Sequence, residues 1–317
     1  MNLLITGATG FVGTSLARKL LADGHSVRAA VRRVDGLFCD EKLNIIYVGD
    51  LNPDIIFDDA LYGVDAVIHL AARTHIMNDK SSDPVAEYQR VNVEASLNLA
   101  RQASNAGVKR FIYLSSIKVN GEFTVPGRPF TAEDLPMPQD PYGMSKYQAE
   151  LGLRAIALKT GMEVVIIRPP LVYGPGVKAN FLSMIRCLSR SIPLPLGAIN
   201  NLRSLVALDN LVDLIVRCIH HPRAANQIFL VSDGEDVSIK VLLQLMGNAL
   251  GRPARLISIP VSWLYFFASL LGRRPMVERL CTSLQVDISK TRKLLEWSPV
   301  IGLDEGLQRV VQDFKIQ

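Results

Sequence analysis

Cysteine is scarce, with 4 in 317 residues, at positions 39, 187, 218 and 281. None forms a CxxC pair or stands at metal-ligand spacing from a histidine, so no metal centre is expected and reduced, buried thiols are. Long apolar runs are also missing. No stretch is long enough to span a bilayer, and Met1-Asn-Leu-Leu-Ile5 lacks the basic and then hydrophobic plan of an export signal. A transmembrane segment is therefore not expected, and a cytoplasmic location is. The most apolar segment, Trp263–Leu271, reads as an ordinary buried helix, with a membrane surface or a partner as the other readings. Lys and Arg outnumber Asp and Glu by 35 to 30, which suits an anionic ligand. The basic residues form no run interleaved with aromatics, so nucleic acid is not an expected partner. Tandem repeats, low-complexity tracts and flexible linkers are absent too.

What is present is apolar material for a sizeable core, 49% of the chain, arranged in alternation. Short β-branched runs at Asn2–Thr6, Ser26–Val31, Asn44–Val48, Ala66–Leu70, Arg110–Leu114 and Glu163–Arg168 predict buried strands, with amphipathic stretches between them. Such alternation implies parallel strands with right-handed crossovers: an α/β fold, a Rossmann doubly wound sheet covered by helices on both faces. After Pro169 and Pro170 the pattern loosens into loops and separate helices at Leu211–His220, Ile239–Leu250 and Leu303–Phe314. This predicts a dinucleotide-binding domain over residues 1–168 and a smaller, mainly helical substrate-binding region over 169–317. A late strand near Ile228–Val231 returns to the sheet.

Directly after the first strand comes Gly7-Ala-Thr9-Gly10-Phe11-Val12-Gly13, followed by a helical run from Thr14 to Leu21. Glycines in that context allow a tight turn, let the backbone approach a pyrophosphate, and aim amide N–H groups and a helix dipole at phosphates. A nicotinamide dinucleotide is thus the expected cofactor. Where an acidic residue would accept bonds from the adenosine ribose, the second strand ends in Ala29-Ala-Val-Arg32-Arg33. Two arginines there suit a 2′-phosphate and lean toward NADP over NAD, the alternative being a solvated basic turn.

Tyr142 and Lys146, four apart, share one face of a helix, where an ammonium would lower the phenol's pKa toward a useful value and make a tyrosinate base. An isolated YxxxK is a common structural pair. Here it keeps company with Asp50-Leu51, His69-Leu70-Ala71-Ala72, Leu114-Ser115-Ser116-Ile-Lys-Val-Asn-Gly121 and Arg168-Pro169-Pro-Leu-Val-Tyr-Gly-Pro175. In this order the motifs resemble those of extended short-chain dehydrogenases/reductases of the NAD-dependent epimerase/dehydratase type, similar to nucleotide-sugar 4-epimerases and 4-ketoreductases, over about the first 180 residues.

The resemblance implies that Tyr142 moves the proton of a substrate hydroxyl while Lys146 also holds the nicotinamide ribose. Ser116 would hydrogen-bond the reacting oxygen, with Ser115 its near competitor. Asp50, Leu51, Leu70, Ala71, Ala72 and Pro169 would be further cofactor contacts. Asn92 resembles an asparagine near the active site, and Asn180 and Arg203 resemble contacts to a sugar-nucleotide diphosphate. The sequence departs from the family at Asn120, where an aromatic is usual. It departs from 4,6-dehydratases at Ile117 and Lys118, where an Asp-Glu pair would stand, which disfavours dehydration. The expected substrate is a UDP-hexose or UDP-N-acetylhexosamine changed at C4. Epimerase is the first reading, followed by an NADPH-dependent 4-ketoreductase, a reductase of a non-sugar ketone, and a non-catalytic dinucleotide sensor. Family analogy adds a homodimer through the helices that include Val85–Ala106 and Pro141–Leu158.

Overall fold

The computed structural model describes residues 1–33, 40–74, 83–125, 127–272 and 274–316. Asp35, Cys39 and the side chain of Asn180 lie outside what it describes. The strands are β1 (Asn2–Thr6), β2 (Ser26–Val31), β3 (Leu43–Tyr47), β4 (Ala66–His69), β5 (Arg110–Leu114), β6 (Glu163–Arg168), β7 (Leu171–Tyr173), β8 (Arg203–Ala207), β9 (Ile228–Leu230) and β10 (Asp236–Val237). The helices are α1 (Phe11–Ala22), α2 (Asp58–Leu61), α3 (Pro84–Tyr88), α4 (Ala95–Asn105), α5 (Pro141–Thr160), α6 (Ala179–Ser189), α7 (Leu208–His220), α8 (Ile239–Leu250), α9 (Val261–Leu270), α10 (Arg274–Cys281), α11 (Ser289–Leu295) and α12 (Leu303–Ile316). Between α3 and α4 the chain keeps winding as a π-helix, Gln89–Glu94.

Seven strands form one sheet in the order β3-β2-β1-β4-β5-β6-β9, parallel throughout. Parallel strands need covered faces, and β1 shows how its sequence supplies them. Leu3 and Ile5 join Leu16 and Leu20 of α1 and Leu211 and Ile215 of α7 on one face. Leu4 joins Leu99 and Ala103 of α4 and Ala149 and Leu153 of α5 on the other. Burying one such leucine or isoleucine contributes about 1.5–3 kcal/mol, so a one-residue slip in β1 would invert three of these contributions at once. Strand order reverses between β1 and β4. Open parallel sheets form their ligand crevice at that switch point, beyond the carboxyl ends of the strands.

A second sheet, β10-β8-β7, with β7 parallel and β10 antiparallel to β8, was not expected from the loosened pattern after Pro170. It carries a third core, in which Tyr173, Phe181, Leu243, Met246 and Leu307 pack together. Among the described residues no helix is long and apolar enough to cross a membrane.

Candidate active site

The turn from β1 into α1 is built by exclusion of side chains. Gly7 sits at φ +73°, and a Cβ there would lie 2.8 Å from the Ala71 nitrogen; a Cβ on Gly13 would lie 2.1 Å from the Gly7 oxygen. The backbones of β1, α1 and the β4 end thus close on one another only as glycine. Gly10 N–H donates to the Gly7 carbonyl at 2.9 Å. As N-cap of α1, Gly10 brings no capping side chain, and the first turn holds no acidic residue. The helix therefore presents uncompensated N–H groups and the positive end of its dipole, the chemistry a pyrophosphate requires.

A crevice of about 810 Å³ opens over this turn, lined by Thr9, Gly10, Phe11, Val12 and Gly13, by Asp50 and Leu51, and by Leu70, Ala71 and Ala72. Its far end is lined by Leu114, Ser115, Tyr142 and Lys146. The sequence reading missed Arg73 and Arg90, which line it as well. Arg90 stands on the π-helix, whose register no local pattern announces. The volume, the glycine cradle and the two arginines fit a dinucleotide.

The leaning toward NADP finds no support in this geometry. Arg32 lines the crevice, but its guanidinium stands 3.5 Å from the Asp50 carboxylate, and both are largely solvent-exposed. Arg33 is exposed and does not line the crevice.

At the far end, α5 starts sharply. Asp140 caps it by accepting from Gly143 N–H at 2.6 Å, Pro141 fills the first turn, and Gly161 at φ +78° ends it. Tyr142, Lys146 and Glu150 follow at four-residue spacing on one face. Lys146 Nζ donates to the Leu114 carbonyl at 2.8 Å and lies 4.5 Å from the Tyr113 ring centre and 6.0 Å from that of Tyr142. Burial pushes the Lys146 ammonium down to about 7, while Glu150 acts to hold it up. Burial also raises the Tyr142 phenol above its ordinary value, with Asp140 and Tyr88 adding to the rise and a hydrogen bond with Ser116 drawing it back. Lys146 shares the helix face with Tyr142, as its spacing suggests. Its ammonium is anchored on β5 and is itself weakened by burial.

The two serines differ in their surroundings. Ser115 Oγ donates to Glu150 Oε1 at 2.5 Å, and Arg168 clamps the same carboxylate through Nε at 3.0 Å and Nη2 at 2.5 Å. Arg168 Nη1 donates to Asn120 Oδ1 at 2.9 Å, and Asn120 Nδ2 to the Thr131 carbonyl at 2.8 Å. Arg168, Glu150 and Asn120 are all buried. Asn120 is thus committed to this network under the site. Ser116 caps a short 3₁₀ turn, Ile117–Val119, its side chain accepting from Lys118 N–H at 3.3 Å. Pro169, off the crevice wall, accepts from Ile117 N–H at 3.0 Å and locks β6 to that turn. Lys118, in the place of a dehydratase acid, is paired with Asp140 and with Glu122.

Asn92 is buried, and its amide is fully engaged by the protein. It accepts from Arg73 N–H at 2.8 Å and donates to the Arg73 carbonyl at 3.0 Å and to Ser145 Oγ at 2.9 Å. It braces the crevice wall against α5. Arg203, on β8, donates to the carbonyls of Arg279 at 2.9 Å and Thr282 at 3.2 Å and does not line the crevice. Below the crevice, His69 is buried between Thr6 Oγ1 at 2.6 Å and Ser96 Oγ at 2.7 Å, and burial, with Lys146 adding, holds its pKa at about 3.

Comparison with known proteins meets this geometry from the other side. UDP-glucose 4-epimerase of Vibrio cholerae is 49% identical over 320 residues, 99% of this chain and 95% of that one. MoeE5, solved with UDP-glucuronic acid and NAD, superposes with a TM-score of 0.80 at 27% identity, covering 100% of this chain and 99% of that one. UDP-glucuronic acid 4-epimerase of Bacillus cereus, solved with NAD, shares the fold at a TM-score of 0.81 and 22% identity, over 99% and 96% of the two chains. The family model for the NAD dependent epimerase/dehydratase family matches residues 3–232. With that match over most of its length, the glycine-built crevice and the Tyr142–Lys146 face beside it, the chain belongs to the NAD dependent epimerase/dehydratase family.

Proposed function

We propose that this chain is a 4-epimerase of a UDP-hexose or UDP-N-acetylhexosamine that retains NAD. The observation that carries the reading is Tyr142 with buried Lys146 on one face of α5, at the far end of a crevice whose near end is a glycine-built turn fit for a pyrophosphate. Full-length similarity to a UDP-glucose 4-epimerase supports the choice of epimerase over reductase.

Bound NAD supplies the hydride acceptor and then the donor at C4, so the cycle consumes no cofactor. Tyr142 would take the C4 hydroxyl proton as hydride leaves that carbon, and would return the proton to the same oxygen when hydride comes back to the opposite face of the ketone. Ser116 holds the same oxygen as negative charge develops, a contact that strengthens toward the transition state. Lys146 fixes the β5 end through Leu114 and would donate to the ribose of a bound cofactor. Arg73 and Arg90, the latter paired with Glu87, line the crevice where a diphosphate would lie, and Gly7, Gly10 and Gly13 with Thr9, Phe11 and Val12 would form its floor. The exposed apolar side chains Val85, Met144, Leu151 and Leu158 on α3 and α5 support a homodimer through these helices.

The test is incubation of the purified protein with UDP-glucose, UDP-N-acetylglucosamine and the corresponding 4-keto-sugar, with and without NADPH. Interconversion of C4 epimers without net cofactor use is expected. Stoichiometric NADPH loss on the keto-sugar would establish a 4-ketoreductase instead. Silence with every UDP-sugar would turn the search to non-sugar ketones or to a sensor.

A further inference from the structure

Helix α9 is apolar on both sides. Toward the protein, Val261 and Leu264 pack on the C-terminal core and Ala268 is buried. Toward solvent, Trp263, Phe266, Phe267, Leu270 and Leu271 recur at i, i+3, i+4, i+7 and i+8, one continuous stripe that is 59%, 62%, 49%, 70% and 73% exposed. From Val261 to Leu271 no side chain is charged. A helix apolar all round belongs inside a protein, and this one has only half a protein against it.

Charge identifies what covers the other half. Helix α10 packs against α9, and residues 252–279 carry 5 arginines, at 252, 255, 273, 274 and 279, against a single carboxylate, Glu278. Arg252, Arg255, Arg274 and Arg279 are exposed, and Arg273 lies outside the described residues. An apolar stripe carrying a tryptophan, flanked by arginines on both sides in sequence, matches the interface of an anionic bilayer: rings and aliphatic chains at the acyl boundary, guanidinium groups at lipid phosphates.

We infer that the α9–α10 hairpin docks this protein on anionic phospholipid membrane surfaces, lying in the interface without crossing it. The foot of the hairpin is tied to the substrate half of the fold. Arg203 of β8 holds the Arg279 and Thr282 carbonyls, and Asn201 Nδ2 holds those of Leu280 at 3.0 Å and Thr282 at 2.9 Å.

Co-sedimentation of the full chain with vesicles of phosphatidylcholine mixed with phosphatidylglycerol, and with vesicles of phosphatidylcholine alone, tests this. The wild type is expected to pellet with the mixed vesicles and to be released by salt. Combining Phe266→Ser with Leu270→Ser should lower partitioning about tenfold or more, and Arg274→Glu should weaken binding to the mixed vesicles. UDP-sugar turnover in vesicle-free solution, or circular dichroism if no UDP-sugar turns over, serves as the folding check on both variants. Wild type that stays in the supernatant, or binding that both variants retain, overturns the inference. So does size-exclusion chromatography in which the double variant alone falls from dimer to monomer, because a second copy would then cover the stripe.

Discussion

The glycine turn after β1 and the lobe on β7, β8 and β10 are built by opposite means. At the turn the surface is backbone, because a Cβ on Gly13 would lie 2.1 Å from the Gly7 oxygen. In the lobe the surface is made of side chains, down to an uncharged aromatic stripe. A backbone site tolerates almost no substitution and therefore leaves a recognisable string of residues. A side-chain surface tolerates many substitutions and leaves only a composition.

The sharpest break between the halves is chemical. Tyr142→Phe removes the proton-carrying oxygen and should lower turnover by about 10²–10⁴-fold while NAD titration by calorimetry stays near wild type. A loss below tenfold would move the proton to another group. Next is the buried clamp: Arg168→Met strands the Glu150 carboxylate and should cost about 3–5 kcal/mol in urea unfolding. Adding Glu150→Leu should recover part of it. Smaller is Gly13→Ala, with an expected loss of about 1–3 kcal/mol and weaker NAD binding. Its control is Gly302→Ala, where a Cβ meets nothing within 4 Å; if both behave alike, the contrast between the halves fails.

The last prediction concerns pH. His69 has a folded pKa of about 3, below its ordinary 6.5. Between those values the unfolded chain binds the extra proton, so stability is fully present above pH 6.5 and is lost as pH falls toward 3. His69→Gln should flatten that acid limb in thermal melts taken across the range.

How much of this was legible follows the same division. The strands β1, β2, β5 and β6 stand where the β-branched runs end, because a strand covered on both faces must be apolar throughout. Helix α5 was legible from Tyr142 and Lys146. Extending the same spacing one turn reaches Glu150, the signal that could have found the clamp. That Ser115 is bonded to Glu150 depends on a partner 35 residues away, beyond any local pattern. The second sheet escaped because β7 has 3 residues and β10 has 2, too short for an alternation to register. Trp263–Leu271 reads as a buried helix because hydrophobicity says what a face avoids and not whether protein or something else covers it.

The π-helix Gln89–Glu94 amounts to one residue more than an α-helix would use on the same path. Deleting a single residue from it would let the segment relax to α geometry along nearly the same path, so that the flanking turns keep their orientation and only the side chains inside the segment change theirs. Tyr88 would keep its place by the Tyr142 ring, now 6.1 Å away centre to centre, while Asn92, inside the segment, would release Arg73. Length here is thus as constrained as identity. Among relatives of this chain, an alignment gap inside these few positions would signal a differently shaped crevice even where every catalytic letter matched.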